Sequence, residues 1–127
     1  MQKNNLDEIF ISEDKVDESL LREVLVKYVR IEKESMSLIP TSEYEKLKEK
    51  QKVLICLLSR KAMKLRNMVE DEHISPTEIS EASGVKIGTV KPTVRDYLKA
   101  NLLKQDERGY FIPNYALERA KKEVLGF

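Results

Sequence analysis

The chain holds one cysteine, Cys56, and one histidine, His73. A thiolate nucleophile needs a base beside it, and a metal centre needs several ligands at set spacing. Cys56 instead lies inside the apolar run VLICLL, which reads it as a small core residue, and it has no partner in the chain for a disulfide. His73 lies in the polar stretch VEDEHI and reads as a loop residue, since no second histidine completes a site. GVKIG, residues 84 to 88, has the character of a turn and lacks the spacing of a phosphate-cradling loop. No catalytic residue, metal or cofactor is therefore expected, and the chain does not read as an enzyme.

The chemistry that remains is electrostatic. A formal net charge of +1 hides an uneven distribution. Residues 1–45 carry 6 Lys and Arg against 11 Asp and Glu, residues 46–104 carry 13 against 7, and residues 105–127 carry 4 of each. A basic middle behind an acidic leader permits contact with a polyanion, and it equally describes a solvated charged surface. Within the basic part, GVKIGTVKPTVRDYLKANLL, residues 84–103, places Pro92 where a helix should be running. Proline has no N–H, and its ring crowds the carbonyl four residues back, here that of Gly88. A helix starting near Lys86 puts this defect at or just beyond its first turn; a start near Val90 puts it among donors that are unpaired anyway. The expectation is a splayed KIGT segment whose Gly88 and Thr89 N–H groups are free to meet a phosphate, against the plain alternative of a proline tolerated on a solvent face.

The elements around this stretch follow from periodicity and capping. At 127 residues, with 41% hydrophobic and 35% charged, the chain reads as one globular domain with a flanking extension. No apolar run approaches the roughly 18 residues of a membrane span, and the N-terminus lacks a signal-peptide order, so a cytoplasmic protein is expected. Residues 1–41 form an acidic N-terminal extension with one amphipathic helix, from Asp17, carrying Leu20, Leu21, Val24, Leu25, Tyr28 and Val29. RIEKESMSLIPT reads as an extended or turning connection. Over 42–67, Ser42 and Glu45 have capping-box spacing, with Thr41 as an alternative cap, Leu47, Val53, Leu54, Leu57, Leu58, Ala62 and Leu65 form the buried stripe, and Lys and Arg take the other face. Ser75, Pro76 and Glu78 start a short helix that Gly84 ends, with Ile79 and Ala82 inward and Val85 filling the corner. A second helix runs from about Ile87 to Ala100 with Val90, Val94, Tyr97 and Leu98 inward, and Asn101 tolerates the left-handed ending. LLKQ and YFIP are strand candidates around DERG, where Gly109 can take positive φ. NYALERAKKEVLGF closes the chain as an amphipathic helix over 114–125.

That order of elements resembles the winged helix-turn-helix DNA-binding proteins, in particular the archaeal and bacterial transcription regulators. The residues that carry the likeness are SPTEISEASGV, GTVKPTV, YLKANLL (where most relatives have Gly at the position of Asn101) and DERGYFIP. The resemblance implies a mainly α fold with a small β-hairpin wing, in which 42–127 is the winged-helix domain, 75–101 the helix-turn-helix, 102–113 the wing and 114–125 the C-terminal helix. It implies sequence-specific binding of double-stranded DNA by a transcriptional regulator, with the recognition helix in the major groove and the wing on the backbone. Carried over by position, the contacts are Lys86, Thr89, Lys91, Thr93, Arg95, Lys99 and Arg108. Lys86, Lys91 and Lys99 suit phosphates, and the planar fork of Arg95 suits guanine. One short recognition helix implies a homodimer, for which the helices at 17–29 and 115–125 have suitable stripes, although the same stripes could pack on the domain's own core. Two other readings stay open: a winged helix as a protein-interaction module of a larger assembly, and DNA binding without sequence preference in replication or plasmid maintenance. No small-molecule ligand and no membrane partner are expected.

Overall fold

Asp17 opens the first helix. In the computed structural model, which describes residues 6–127, its carboxylate accepts the Leu20 N–H at 3.0 Å, satisfying one of the donors a helix start leaves unpaired. Helix α1 (Glu18–Tyr28) then buries Leu20, Leu21, Val24, Leu25 and Tyr28. The chain continues directly into β1 (Val29–Ile31), which pairs antiparallel with β2 (Leu38–Pro40), Val29 opposite Pro40 and Ile31 opposite Leu38. This hairpin stands where the sequence predicts only a connection. Its turn is held by the Glu32 carboxylate, which accepts the N–H groups of Glu34 at 2.6 Å and Ser35 at 2.7 Å, and by Met36 at a φ of 60°. Neither residue type is a turn signal, so the hairpin was invisible to turn chemistry.

The next helix begins later than its capping-box spacing predicts. Tyr44–Lys46 is a single 3-10 turn, and α2 (Glu49–Leu65) follows with the Lys48 N–H donated to the Gln51 side chain at 2.8 Å. Tyr44 explains the detour, because its ring is buried and its hydroxyl donates to the Ser83 carbonyl at 2.6 Å. Every residue from Val53 to Ser59 is buried, as are Lys61 and Met63. The expected split between an apolar stripe and a Lys/Arg face therefore fails in the middle of α2, which is the central helix of the fold. Cys56 lies inside it, where burial pushes its thiol up to about 12.

Helix α3 (Pro76–Ser83) starts as its sequence predicts. The Ser75 hydroxyl accepts the Glu78 N–H at 3.2 Å, and the Glu78 carboxylate accepts the Ser75 N–H at 3.1 Å. Gly84 ends it at a φ of 80° and Val85 fills the corner; Ile79 is buried, but Ala82 is exposed. Helix α4 (Ile87–Lys99) buries Val90, Val94 and Tyr97, and Asn101 takes a φ of 61°. Strands β3 (Lys104–Asp106) and β4 (Gly109–Phe111) form the second hairpin, with Glu107 and Arg108 at its tip. Ile74, just before α3, exchanges both main-chain hydrogen bonds with Tyr110 at 3.0 and 2.9 Å. That close approach is why residue 109 is glycine: a Cβ there would lie 2.6 Å from the Ile74 backbone. After a 3-10 turn at Asn114–Ala116, α5 (Leu117–Leu125) buries Leu117, Ala120 and Val124 against α1 and α2. The apolar stripes of α1 and α5 thus belong to the chain's own core. The described residues form a mainly helical fold of five α-helices with two small antiparallel hairpins.

One charge lies inside this core. Lys61 is 2% exposed, and its Nζ lies 2.6 Å from the Glu72 carboxylate and 2.6 Å from Asn114 Oδ1. Removing one partner of a buried pair leaves the other uncompensated. Glu72→Ala is expected to lower stability by about 2–4 kcal/mol in urea unfolding, and Lys61→Met added to it is expected to recover part of the loss. A loss for Glu72→Ala below about 0.5 kcal/mol would show that water replaces the carboxylate.

Candidate nucleic-acid interface

Helix α4 is fixed on its inner side and charged on its outer side. The Tyr97 hydroxyl donates to the Lys50 carbonyl at 3.0 Å, tying the helix to α2. At its C-terminal end, Arg119 of α5 donates to the carbonyls of Ala100 at 2.6 Å and Asn101 at 3.2 Å, which closes orphan acceptors with a favourable charge. At about 100° per residue, Lys91, Arg95 and Lys99 fall in one stripe about 80° wide. Gly88 and Pro92 lie in the middle of the exposed surface, and half-buried Thr89 and Thr93 lie on its far shoulder. Lys86 is exposed at the N-cap. Among the described residues, none of Lys86, Lys91, Arg95 and Lys99 makes an ion pair with the protein. Asp96 is the one acid on this helix.

Arg108 is placed differently. It sits at the hairpin tip, as its sequence position predicts, but its guanidinium lies 3.1 Å from the Asp106 carboxylate and 3.5 Å from that of Asp71. Those two acids also hold His73. Its Nδ1 is 3.2 Å from Asp71 Oδ1, its Nε2 is 2.9 Å from Asp106 Oδ2, and its ring centroid is 4.3 Å from that of Phe111. Burial raises the Asp71 carboxyl, but the hydrogen bonds from the His73 N–H and ring, with the Arg108 charge, outweigh it and leave the group below its ordinary value. Burial acts on Asp106 in the same way and is likewise outweighed, by the Arg108 N–H and guanidinium and by His73. His73 is therefore no ordinary loop residue. Its role was not readable from VEDEHI because Asp106 reaches it only through the Ile74–Tyr110 pairing, which sets the hairpin beside the connection.

The proline question is answered by the first turn of α4. Thr89 and Val90 both donate their N–H to the Lys86 carbonyl, at 2.9 and 3.0 Å, so the helix starts regularly and the expected splayed KIGT segment does not form. The Thr89 N–H is not free. Pro92 is the sixth helical residue and denies the Gly88 carbonyl its usual donor. Both residues face outward, and a Cβ built on Gly88 meets nothing within 4 Å.

Among the described residues, no group of three or more His, Cys, Asp or Glu is placed to hold a metal ion, and no helix is long and apolar enough to cross a membrane. No family model, curated protein or solved structure matches this chain. Pro92→Ala returns a donor to Gly88 without touching the core, and is expected to raise stability by about 1–3 kcal/mol in urea unfolding. An unchanged or lowered midpoint would show that the proline ring has a packing role.

Proposed function

We propose that the chain is a winged helix-turn-helix protein that binds double-stranded DNA sequence-specifically as a cytoplasmic transcriptional regulator. In this reading α4 lies in the major groove and the β3–β4 hairpin lies against the backbone. The observation that carries it is the set of four exposed, unpaired cations, Lys86, Lys91, Arg95 and Lys99, on a helix whose inner face is locked to α2 and α5. Cations that the protein does not neutralise are available to phosphates, and releasing counterions from DNA makes such contacts strongly salt-dependent. Lys86, Lys91 and Lys99 are assigned to phosphates and Arg95 to a guanine edge, with Thr89 and Thr93 on the opposite shoulder of the groove. Arg108 joins them only after leaving Asp71 and Asp106.

The test is an anisotropy titration of labelled duplex across a salt series. Arg95→Ala is expected to weaken a selected site by about 1–3 kcal/mol and to relax its sequence preference. Lys91→Ala is expected to weaken all duplexes alike and to lower the salt slope by about 1. No binding at low salt by a protein folded by circular dichroism would sink this reading and favour a protein-interaction module. Equal affinity for selected and random duplexes would leave DNA binding without sequence preference.

A homodimer is part of the proposal, but its surface cannot be the stripes of α1 and α5. Four exposed apolar residues lie close together in sequence in the leader, where Leu6, Ile9, Phe10 and Ile11 are 57%, 72%, 67% and 67% exposed. Its base is anchored, because the Glu13 carboxylate accepts the N–H groups of Asn114 at 3.0 Å and Tyr115 at 2.7 Å. Sedimentation equilibrium at micromolar concentration is expected to give a dimer for the native chain and a monomer for Ile9→Asp/Phe10→Asp. A native monomer removes the dimer from the reading.

A further inference from the structure

The carboxylates of Asp71 and Asp106 face the two nitrogens of one imidazole. An ionised carboxylate accepts hydrogen bonds and cannot donate, and a neutral imidazole has only one N–H. With Nδ1 3.2 Å from Asp71 and Nε2 2.9 Å from Asp106, a neutral ring satisfies one side and turns a lone pair on the other. Only the imidazolium donates to both. The ring has little room to turn away, since its side chain is 11% exposed and Phe111 lies against it.

From this we infer that His73 is a proton-operated latch: when protonated it clamps the β3–β4 hairpin to the connection before α3, and when neutral it releases one of the two carboxylates. The groups around it come from every neighbouring element. Asp71 lies on the connection, Asp106 on β3 and Arg108 at the tip, where it bridges the same two carboxylates; Phe111 on β4 is uncharged. The adjacent Glu72 is engaged by Lys61 of α2 and does not share in the switch. With the imidazolium, Asp71, Asp106, His73 and Arg108 sum to zero charge; with the neutral ring they sum to one negative charge. When the ring loses its proton, the hairpin loses a clamp and its tip turns acidic. Where that tip faces DNA, which rests on the function proposed above, the same proton strengthens binding.

His73 is the one histidine in the chain, so its ring resonances are unambiguous in a proton NMR titration from pH 5 to 8.5. The amides of Ile74, Asp106, Glu107 and Arg108 are expected to titrate with the same midpoint as the ring, and to stay flat in His73→Gln, which resembles the neutral state. Asp71→Asn gives the neutral ring a donor to accept from, and is expected to reduce the amide shifts at least two-fold while the fold persists. Hairpin amides that ignore the ring's titration, or that still titrate in His73→Gln, overturn the latch. In parallel, duplex binding by the native chain is expected to be severalfold tighter at pH 5.5 than at 7.5, with a ratio near one for His73→Gln. Equal native binding at both pH values overturns the link to DNA. Failure of both proteins to bind DNA at either pH overturns the DNA reading, while the NMR titration still decides the latch.

Discussion

Burying the ammonium of Lys61 in the middle of α2 constrains everything around it. A cation removed from water needs a counter-charge and further hydrogen-bond acceptors close by, and here they come from two segments distant in sequence. Glu72 fixes the connection that leads into α3, and Asn114 fixes the turn that leads into α5. Each then positions more. One residue beyond Glu72, His73 meets the hairpin, and at the next residue Ile74 pairs with Tyr110. The Asn114 side chain donates to the Glu13 carbonyl, so the acidic leader is tied to the same network. A single desolvated charge thereby links the central helix to the hairpin on one side and the leader on the other. Such a network is worth little as net stability, but it penalises any arrangement that leaves the ammonium unpaired.

The parts of this fold that were legible in the sequence are those whose causes are local. The capping box of α3, the left-handed endings at Gly84 and Asn101, and the tight turn before Gly109 each need only neighbours within a few residues. The parts that were not legible have distant causes. Ser42 and Glu45 have the right spacing for a cap, yet Tyr44 is drawn to the Ser83 carbonyl, 39 residues away, and the helix waits until Glu49. Lys61 carries the same letter as the solvated lysines near it, and nothing in its own segment announces Glu72 or Asn114. Ala82 is apolar enough to look inward but small enough to be left outside. Of the candidate interface, the α4 cations were legible because helical phase alone turns them outward. The engagement of Arg108 was not, because Asp71 reaches it across the tertiary fold.

The two parts of the candidate interface differ in what holds them. Helix α4 is braced by packed apolar residues, a tyrosine hydroxyl and an arginine cap. Its cations are exposed, so salt screens their field. The hairpin tip is braced mainly by charge, through Asp71, His73, Asp106 and Arg108. Phe111 lies against His73, Tyr110 packs on the core, and Gly109 allows the close approach to Ile74. The helix is thus held by packing and the hairpin tip by charges.

That division bears on how the fold could serve a polyanion at all, since the fold by itself implies no function. Between the long cationic side chains of this helix, Gly88 and Pro92 leave the surface low. Close approach is what the guanine contact proposed for Arg95 would require, because its fork must reach the groove floor with its backbone near the rim. A protein partner would instead call for an apolar patch at that face, and among the α4 residues the exposed large apolar one is Ile87, at 39%. Among the described residues, the exposed large apolar side chains are shared between the acidic leader and scattered positions such as Ile39 and Phe127. The outer face of α4 thus has the character of a surface for an anion, and that character is what favours the proposed reading over a protein-interaction module.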